Sequence, residues 1–228
     1  MAMENKNLTF IGVNGSERPN GNGAYAYRHL KEVLSEEGVS LEVINVWDLD
    51  LDPCGACGDC NFRAVPCEVD DGLAELIPRL ASADGIILSA PVHGFGPSPT
   101  LPTFIERIGT GHLRFNRVLT NKVGGAFVTG RRYSHVEAYN YLIQHLLLNR
   151  MIVPGAGFPP VLFGDKTGEV AFDEEGMEML DRMARRMARL AKILKSHREE
   201  VGEDWLAEES FSERDRPKTD GRGDIFDE

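Results

Sequence analysis

The chain has 228 residues, of which 42% are hydrophobic and 27% charged, a balance that supports a sizeable core and excludes a disordered or fibrous protein. The formal net charge of −11 is concentrated at the C-terminal end, where residues 199–228 hold 12 acidic and 4 basic side chains; the nearly balanced remainder offers no general basic field for a nucleic-acid backbone. No run approaches the length of a membrane span, and Met1–Asn7 leads into an apolar segment without a basic region or cleavage site, so a cytoplasmic protein with no membrane or nucleic-acid partner is expected.

Leu8–Val13 is a short apolar run that ends in Asn14-Gly15-Ser16 and is followed by a helical stretch over residues 23–37, the pattern of strand, loop and helix. A second strand is expected at Leu41–Val46, then a cysteine-rich loop at 53–68 and a helix at 71–82. Gly85–Ala90 is apolar on both faces and stops at Pro91, as a central parallel strand covered from both sides must be. After a proline-rich loop come a short helix near 102–109, a strand at Val123–Val128, a helix over 134–149 with Tyr141, His145 and Leu148 on one side, and a brief fifth strand at Met151–Val153. The last helix, 173–197, carries Met177, Leu180, Met183, Met187, Leu190 and Leu194 at steps of three and four, which is a core-facing stripe. Five strands alternating with helices specify a doubly wound α/β sheet, whose ligands bind at the carboxyl ends of the strands. Function is therefore expected in the loops after Val13, Ala90 and Val128. The domain is expected to span 1–198, with 199–228 an acidic tail that either packs on a partner subunit or hangs as a loose arm.

The loop Gly15–Gly23 combines hydroxyl, amide and guanidinium side chains with glycines that let backbone N–H groups approach an anion, and the next helix points its positive end at the same place. This reads as a phosphate cradle; a glycine-rich turn with Asn22 as helix cap is the alternative. No Gly-Lys-Ser/Thr is present, which excludes a nucleoside triphosphatase loop, and the G-x-G-x-x-A match at Gly21–Ala26 begins eight positions beyond the strand, too far for a dinucleotide turn.

Gly15-Ser16-x-Arg18-x-Asn20-Gly21-Asn22, the cysteine loop, Asp70-Asp71 and the run Ala83–Gly94 together resemble the NADPH-dependent FMN reductase family, above all its iron-sulfur flavoprotein branch, over about residues 8–195. The resemblance implies a flavodoxin-like five-stranded parallel sheet of order 2-1-3-4-5 with helices on both faces, and a homodimer or homotetramer with sites near subunit contacts. It places the FMN phosphate on Ser16, Arg18, Asn20, Asn22 and Gly23. It places the isoalloxazine against Pro91, Val92, His93, Gly94 and Phe95, with Thr129, Gly130 and the adjacent Arg131 as a third wall. Two departures stand out: the family commonly has an aromatic residue where His93 stands, and a glycine-rich loop where this chain has Arg131-Arg132-Tyr133-Ser134-His135.

Cys54, Cys57, Cys60 and Cys67 offer four thiolates in a compact spacing that suits a [4Fe-4S] cluster and resembles the branch's cluster loop; bare thiols, zinc or a disulfide are the alternatives. His93 and His135 are candidates for proton transfer, whereas His145 reads as a packed histidine. Arg131 and Arg132 are placed to clamp an anionic group or to form a solvated turn, and Phe95 and Tyr133 to stack on a ring or pack at an interface. The expected function is an FMN-dependent oxidoreductase that takes hydride from NAD(P)H and passes electrons to a quinone-like, aromatic or protein acceptor. The alternatives are an electron carrier for ferredoxin-type partners and a biosynthetic dehydrogenase acting on a small acidic ring compound.

Overall fold

The computed structural model describes residues 8–55, 67, 69–108 and 118–202. In chain order they form β1 (Leu8–Asn14), α1 (Asn22–Glu36), β2 (Val39–Asn45), α2 (Leu73–Ser82), β3 (Gly85–His93), β4 (Gly96–Pro97), α3 (Thr100–Arg107), β5 (Val123–Gly130), α4 (His135–Leu148), β6 (Val161–Phe163) and α5 (Glu174–Val201). Short 3₁₀ turns lie at Val46–Asp48 and Glu169–Phe172. Strands β2, β1, β3, β5 and β6 run parallel in that order, while β4 folds back antiparallel on the end of β3. This is the expected flavodoxin-like path, with one short hairpin added.

Alternation along the buried strands sends side chains into two separate cores. Ile11, Val13, Ile86, Leu88, Ala126 and Val128 face α2, α3 and α4 through Leu76, Leu80, Phe104, Leu142 and Leu146. On the other face Phe10, Ile87 and Phe127 meet α1 and α5 through Tyr27, Leu30, Met183 and Met187. Close approach of α5 depends on Gly125, where an added Cβ would lie 2.4 Å from the Met187 sulfur. The α5 stripe is as expected: Leu180, Met183 and Met187 are buried, and Met177, Leu190 and Leu194 pack at its margin. No helix among the described residues is long and apolar enough to cross a membrane.

One expectation is corrected. Met151–Val153 does not form the fifth strand; Ile152 makes a single bridge to Val123, and the fifth parallel strand is β6, after Pro159-Pro160. Prolines punctuate a three-residue strand strongly enough to hide it from pattern reading. On α4 the buried face is Ala138, Leu142, His145 and Leu146, whereas Tyr141 and Leu148 are exposed.

His145 is 8% exposed and lies beside the Asn149 amide. Burial pushes its imidazole down to about 4. The unfolded chain, with an ordinary imidazole near 6.5, therefore binds a proton that the folded chain refuses between those two values, and stability rises with pH across that window. A His145→Gln variant, which cannot take up that proton, is expected to lose roughly 2–3 kcal/mol less stability than the parent between pH 7 and pH 4.5 in urea melts.

Candidate functional site

The carboxyl ends of β1, β3, β5 and β6 open into a cavity of about 240 Å³. Its floor is built from β1 outward. Asn14, buried at the strand end, accepts the Ser16 backbone N–H through Oδ1 at 3.2 Å and donates from Nδ2 to Asn45 Oδ1 at 3.1 Å. Ser16 Oγ in turn accepts the Arg18 N–H at 3.2 Å, and the Gly21 N–H donates to the Arg18 carbonyl at 3.0 Å. These bonds curl residues 16–21 over the first turn of α1. The N-cap there is Gly21, no side chain caps the helix, and no acidic residue sits in its first turn. Free first-turn N–H groups at the positive end of a helix form an anion seat, and Arg18 adds a guanidinium at the cavity wall.

The remaining walls come from the ends of the other strands. Pro91, Val92 and His93 close one side, Thr129, Gly130 and Arg131 a second, and Gly164-Asp165 a third. His93 Nδ1 is 3.4 Å from Glu17 Oε1, so the loop after β1 and the end of β3 meet through this couple. The β3 to β4 hairpin turns at Gly94 and Phe95, at φ of 53° and 69°.

The structure therefore brings Ser16, Arg18, Pro91, Val92, His93, Thr129, Gly130 and Arg131 around one cavity. Gly94 and Phe95 line the adjoining groove, together with Val92 and Arg131. Asn20 is exposed outside the cavity, and Gly23 is buried behind it, where a Cβ would lie 2.9 Å from Asn14 Oδ1. Asn22 does line the cavity, but its amide is engaged: Nδ2 donates to the Gly164 carbonyl at 3.3 Å and Oδ1 accepts the Gly168 N–H at 2.7 Å. That side chain latches the loop after β6 onto α1 and leaves its own backbone N–H for an anion. His135 stands behind Gly130, whose added Cβ would meet Nε2 at 2.9 Å; its ring lies 4.4 Å from that of Phe163, and Nε2 is buried without a hydrogen-bond partner among the described residues. It backs the wall and does not line the cavity.

Sequence reasoning missed Asn14, Glu17 and the segment Gly164-Asp165. A polar residue closing an otherwise apolar buried strand was the available signal for Asn14. Glu17 stands inside the loop already read as a cradle, between Ser16 and Arg18, but a carboxylate does not announce itself in an anion site; Gly164-Asp165 is placed by tertiary contacts alone.

The cysteine-rich segment has described margins only. Cys54 and Cys67 are both partly buried; Cys57 and Cys60 lie outside the described residues. Arg107, at the end of α3, donates from Nη1 to the Asp52 carbonyl at 2.6 Å and to Asp71 Oδ2 at 2.5 Å, and from Nη2 to Asp71 Oδ1 at 3.0 Å. Cys67 lies against the same guanidinium. At the other end of α3, the Ser98 and Thr100 hydroxyls donate to the Gly15 carbonyl at 2.5 and 3.3 Å. Among the described residues no three His, Cys, Asp or Glu side chains are grouped to hold a metal ion.

Residues 8–163 match the family model described as NADPH-dependent FMN reductase. An iron-sulfur flavoprotein of Methanocaldococcus jannaschii is 31% identical over 195 residues, covering 82% of this chain and 100% of its own length. The iron-sulfur flavoprotein of Methanosarcina thermophila is 27% identical over 195 residues, covering 84% and 100%. Among solved structures, RosB with bound 8-demethyl-8-formylriboflavin-5′-phosphate shares the fold with a TM-score of 0.65 at 16% identity, over 97% of this chain and 98% of its own. An NADH:FMN oxidoreductase in its apo form shares it with a TM-score of 0.53 at 19% identity, over 80% and 89%.

Proposed function

The chain belongs to the NADPH-dependent FMN reductase family, and from that premise we propose that it is an NAD(P)H-dependent oxidoreductase that seats FMN in the cavity at the strand ends. The observation that carries this reading is the uncapped N-terminus of α1 beneath the curled loop 16–21. A helix of 15 residues whose first turn has no side-chain cap and no carboxylate fits a phosphate ester, and Arg18 at the wall fits its second charge. Bound there, FMN supplies hydride and single-electron chemistry at its ring.

The chain's own residues supply position and field. Arg18 and the α1 terminus hold the phosphate, and the backbone of Pro91–Gly94 and of Thr129-Gly130 borders the ring. His93, steadied by Glu17, is the cavity histidine able to hold or release a proton beside a bound molecule. His135, screened by Gly130, serves as a packing support. The four cysteines are proposed to bind a [4Fe-4S] cluster, a reading supported by their spacing and by the printed names of the relatives. A second reading, supported by the pairing of a flavin cavity with four clustered cysteines, is an electron carrier that exchanges with a ferredoxin-type protein. Self-association as a dimer or tetramer belongs to the proposal as well, supported by the exposed Val136, Tyr141 and Leu147 on α4.

The deciding experiment titrates FMN into colourless, folded, full-length protein and follows its visible absorption and fluorescence. Saturable binding at one FMN per chain is expected; a flat titration overturns the reading. Bleaching of the bound flavin by NADPH or NADH then supports the reductase, and reduction by a protein donor alone supports the carrier.

A further inference from the structure

Beside the cavity lies a groove of about 360 Å³ lined by Val92, Gly94, Phe95, Arg131, Arg132 and Tyr133. Three observations set it apart. First, Phe95 is at φ 69°, directly after Gly94 at φ 53°. Two successive positive φ values are the geometry of a two-residue primed hairpin turn, which favours Asn or Gly and penalises a bulky side chain. Second, the ring held there at a conformational cost gains little packing, since Phe95 is 75% exposed and Tyr133 66%. A strained residue that contributes nothing to the core points to a role outside folding. Third, Arg131 and Arg132 form no ion pair among the described residues, although the chain carries a net charge of −11. The Arg132 guanidinium instead lies 5.8 Å from the centroid of the Tyr133 ring, which holds that ring and the charge side by side.

We propose that this groove binds a flat aromatic molecule bearing an anionic group, its ring against Phe95 and Tyr133 and its charge on Arg131 and Arg132. Aromatic faces take a planar ring in offset or edge contact, and a guanidinium takes a carboxylate, sulfonate or phosphate by forked hydrogen bonds. Val92 and Arg131 line both the groove and the adjoining cavity, so a molecule seated here lies next to whatever the cavity holds. That the occupant is a redox partner of FMN rests on the preceding reading; the ligand class rests on the groove itself. An aromatic carboxylate that serves as electron acceptor carries both features.

The test uses two redox-inert probes of nearly equal shape, 2-naphthoate and 2-naphthamide, titrated calorimetrically into FMN-loaded, full-length protein at pH 7. The carboxylate is expected to bind about tenfold or more tighter than the amide. Arg132→Gln is expected to erase most of that difference while FMN affinity and naphthamide affinity hold within about twofold. Phe95→Gly separates a ligand role from a structural one: both probes are expected to weaken by about fivefold or more while the melting temperature holds or rises, because the strain is released. Equal affinity for the two probes, an Arg132→Gln variant that binds naphthoate like the parent, or a Phe95→Gly variant that melts lower with unchanged probe binding would each overturn the proposal. Adenosine 2′,5′-bisphosphate is expected not to compete with naphthoate; full competition would return the groove to the nicotinamide donor and overturn the proposal. If the protein takes up no FMN, the same titrations run on the FMN-free chain still decide the groove.

Discussion

Arg107→Ala is expected to cost about 3–5 kcal/mol of stability, read as a lower urea midpoint with an unchanged slope. The two side chains of the pair are 1% and 3% exposed, so removing the guanidinium strands a carboxylate where water cannot replace its partner. Asp71 is held on several sides: by both Arg107 amino groups and by the backbone N–H groups of Asp52 and Leu73 at 3.2 and 3.4 Å. Burial by itself would push its carboxyl up, but the Arg107 hydrogen bonds, the backbone donors and the guanidinium charge outweigh burial and hold it below the ordinary range. The carboxyl is thus easier to ionise in the folded chain than in the unfolded one. Its contribution is complete above the unfolded value near 4 and is lost as pH falls through the lower folded value, so the parent is more acid-sensitive than a variant without the pair. The double variant Arg107→Met with Asp71→Leu is expected to recover most of the loss, since matched apolar replacements of a buried ion pair are often neutral. A single variant as stable as the parent would show that the pair contributes nothing.

Gly21→Asp is expected to lower FMN affinity by about 100-fold or more while changing stability by no more than about 1 kcal/mol. Gly21 is the N-cap of α1 and lies in the extended region at φ −72°, a conformation any residue adopts. Aspartate there supplies the missing cap, accepting the first-turn N–H groups that the phosphate would use. The new Cβ meets Arg18 Cβ at 3.0 Å, which offsets part of the capping gain. The variant therefore places a carboxylate in the anion seat, where it competes through occupancy and repels through charge. FMN titration beside a thermal melt reads both quantities. Loss of both together would mean that the loop had collapsed, and retention of both would move the phosphate elsewhere.

Much of the architecture was legible because each strand is a short apolar run closed by a polar or glycine signal. Gly85–Ala90 and Val123–Val128 announce central strands by being apolar on both faces, and the methionine stripe of α5 announces its buried side. β6 escaped because three residues after two prolines carry no periodicity, and β4 because a two-residue strand exists only through its pairing with β3. The inward side of α4 was hidden for a different reason. That helix is apolar around most of its circumference, so periodicity alone could not choose between Tyr141 and Leu142 as the inward side.

At the site, the residues adjacent in sequence to a strand end were readable, since topology alone puts them at the carboxyl edge. The segment Gly164-Asp165 was not, because its place depends on the latch from Asn22, which is 142 residues away along the chain. The same latch explains why Asn22 could be read as a ligand side chain when its amide is already committed. His135 shows the converse: a histidine in the right loop whose helix turns it behind a backbone, where Gly130 leaves room for its ring.

Helix α3 has a consequence that reaches both ends of the molecule's chemistry. Its eight residues span about 12 Å, with the root of the anion loop bonded at one tip through the Gly15 carbonyl and the edges of the thiol-bearing segment bonded at the other through Arg107. It therefore acts as a fixed spacer: the gap between those two regions is set by helical rise and is not left to loop wandering. Lengthening or shortening the spacer by a single residue would swing its far tip by about 100°, detaching the guanidinium from Asp71 before the near tip had moved at all.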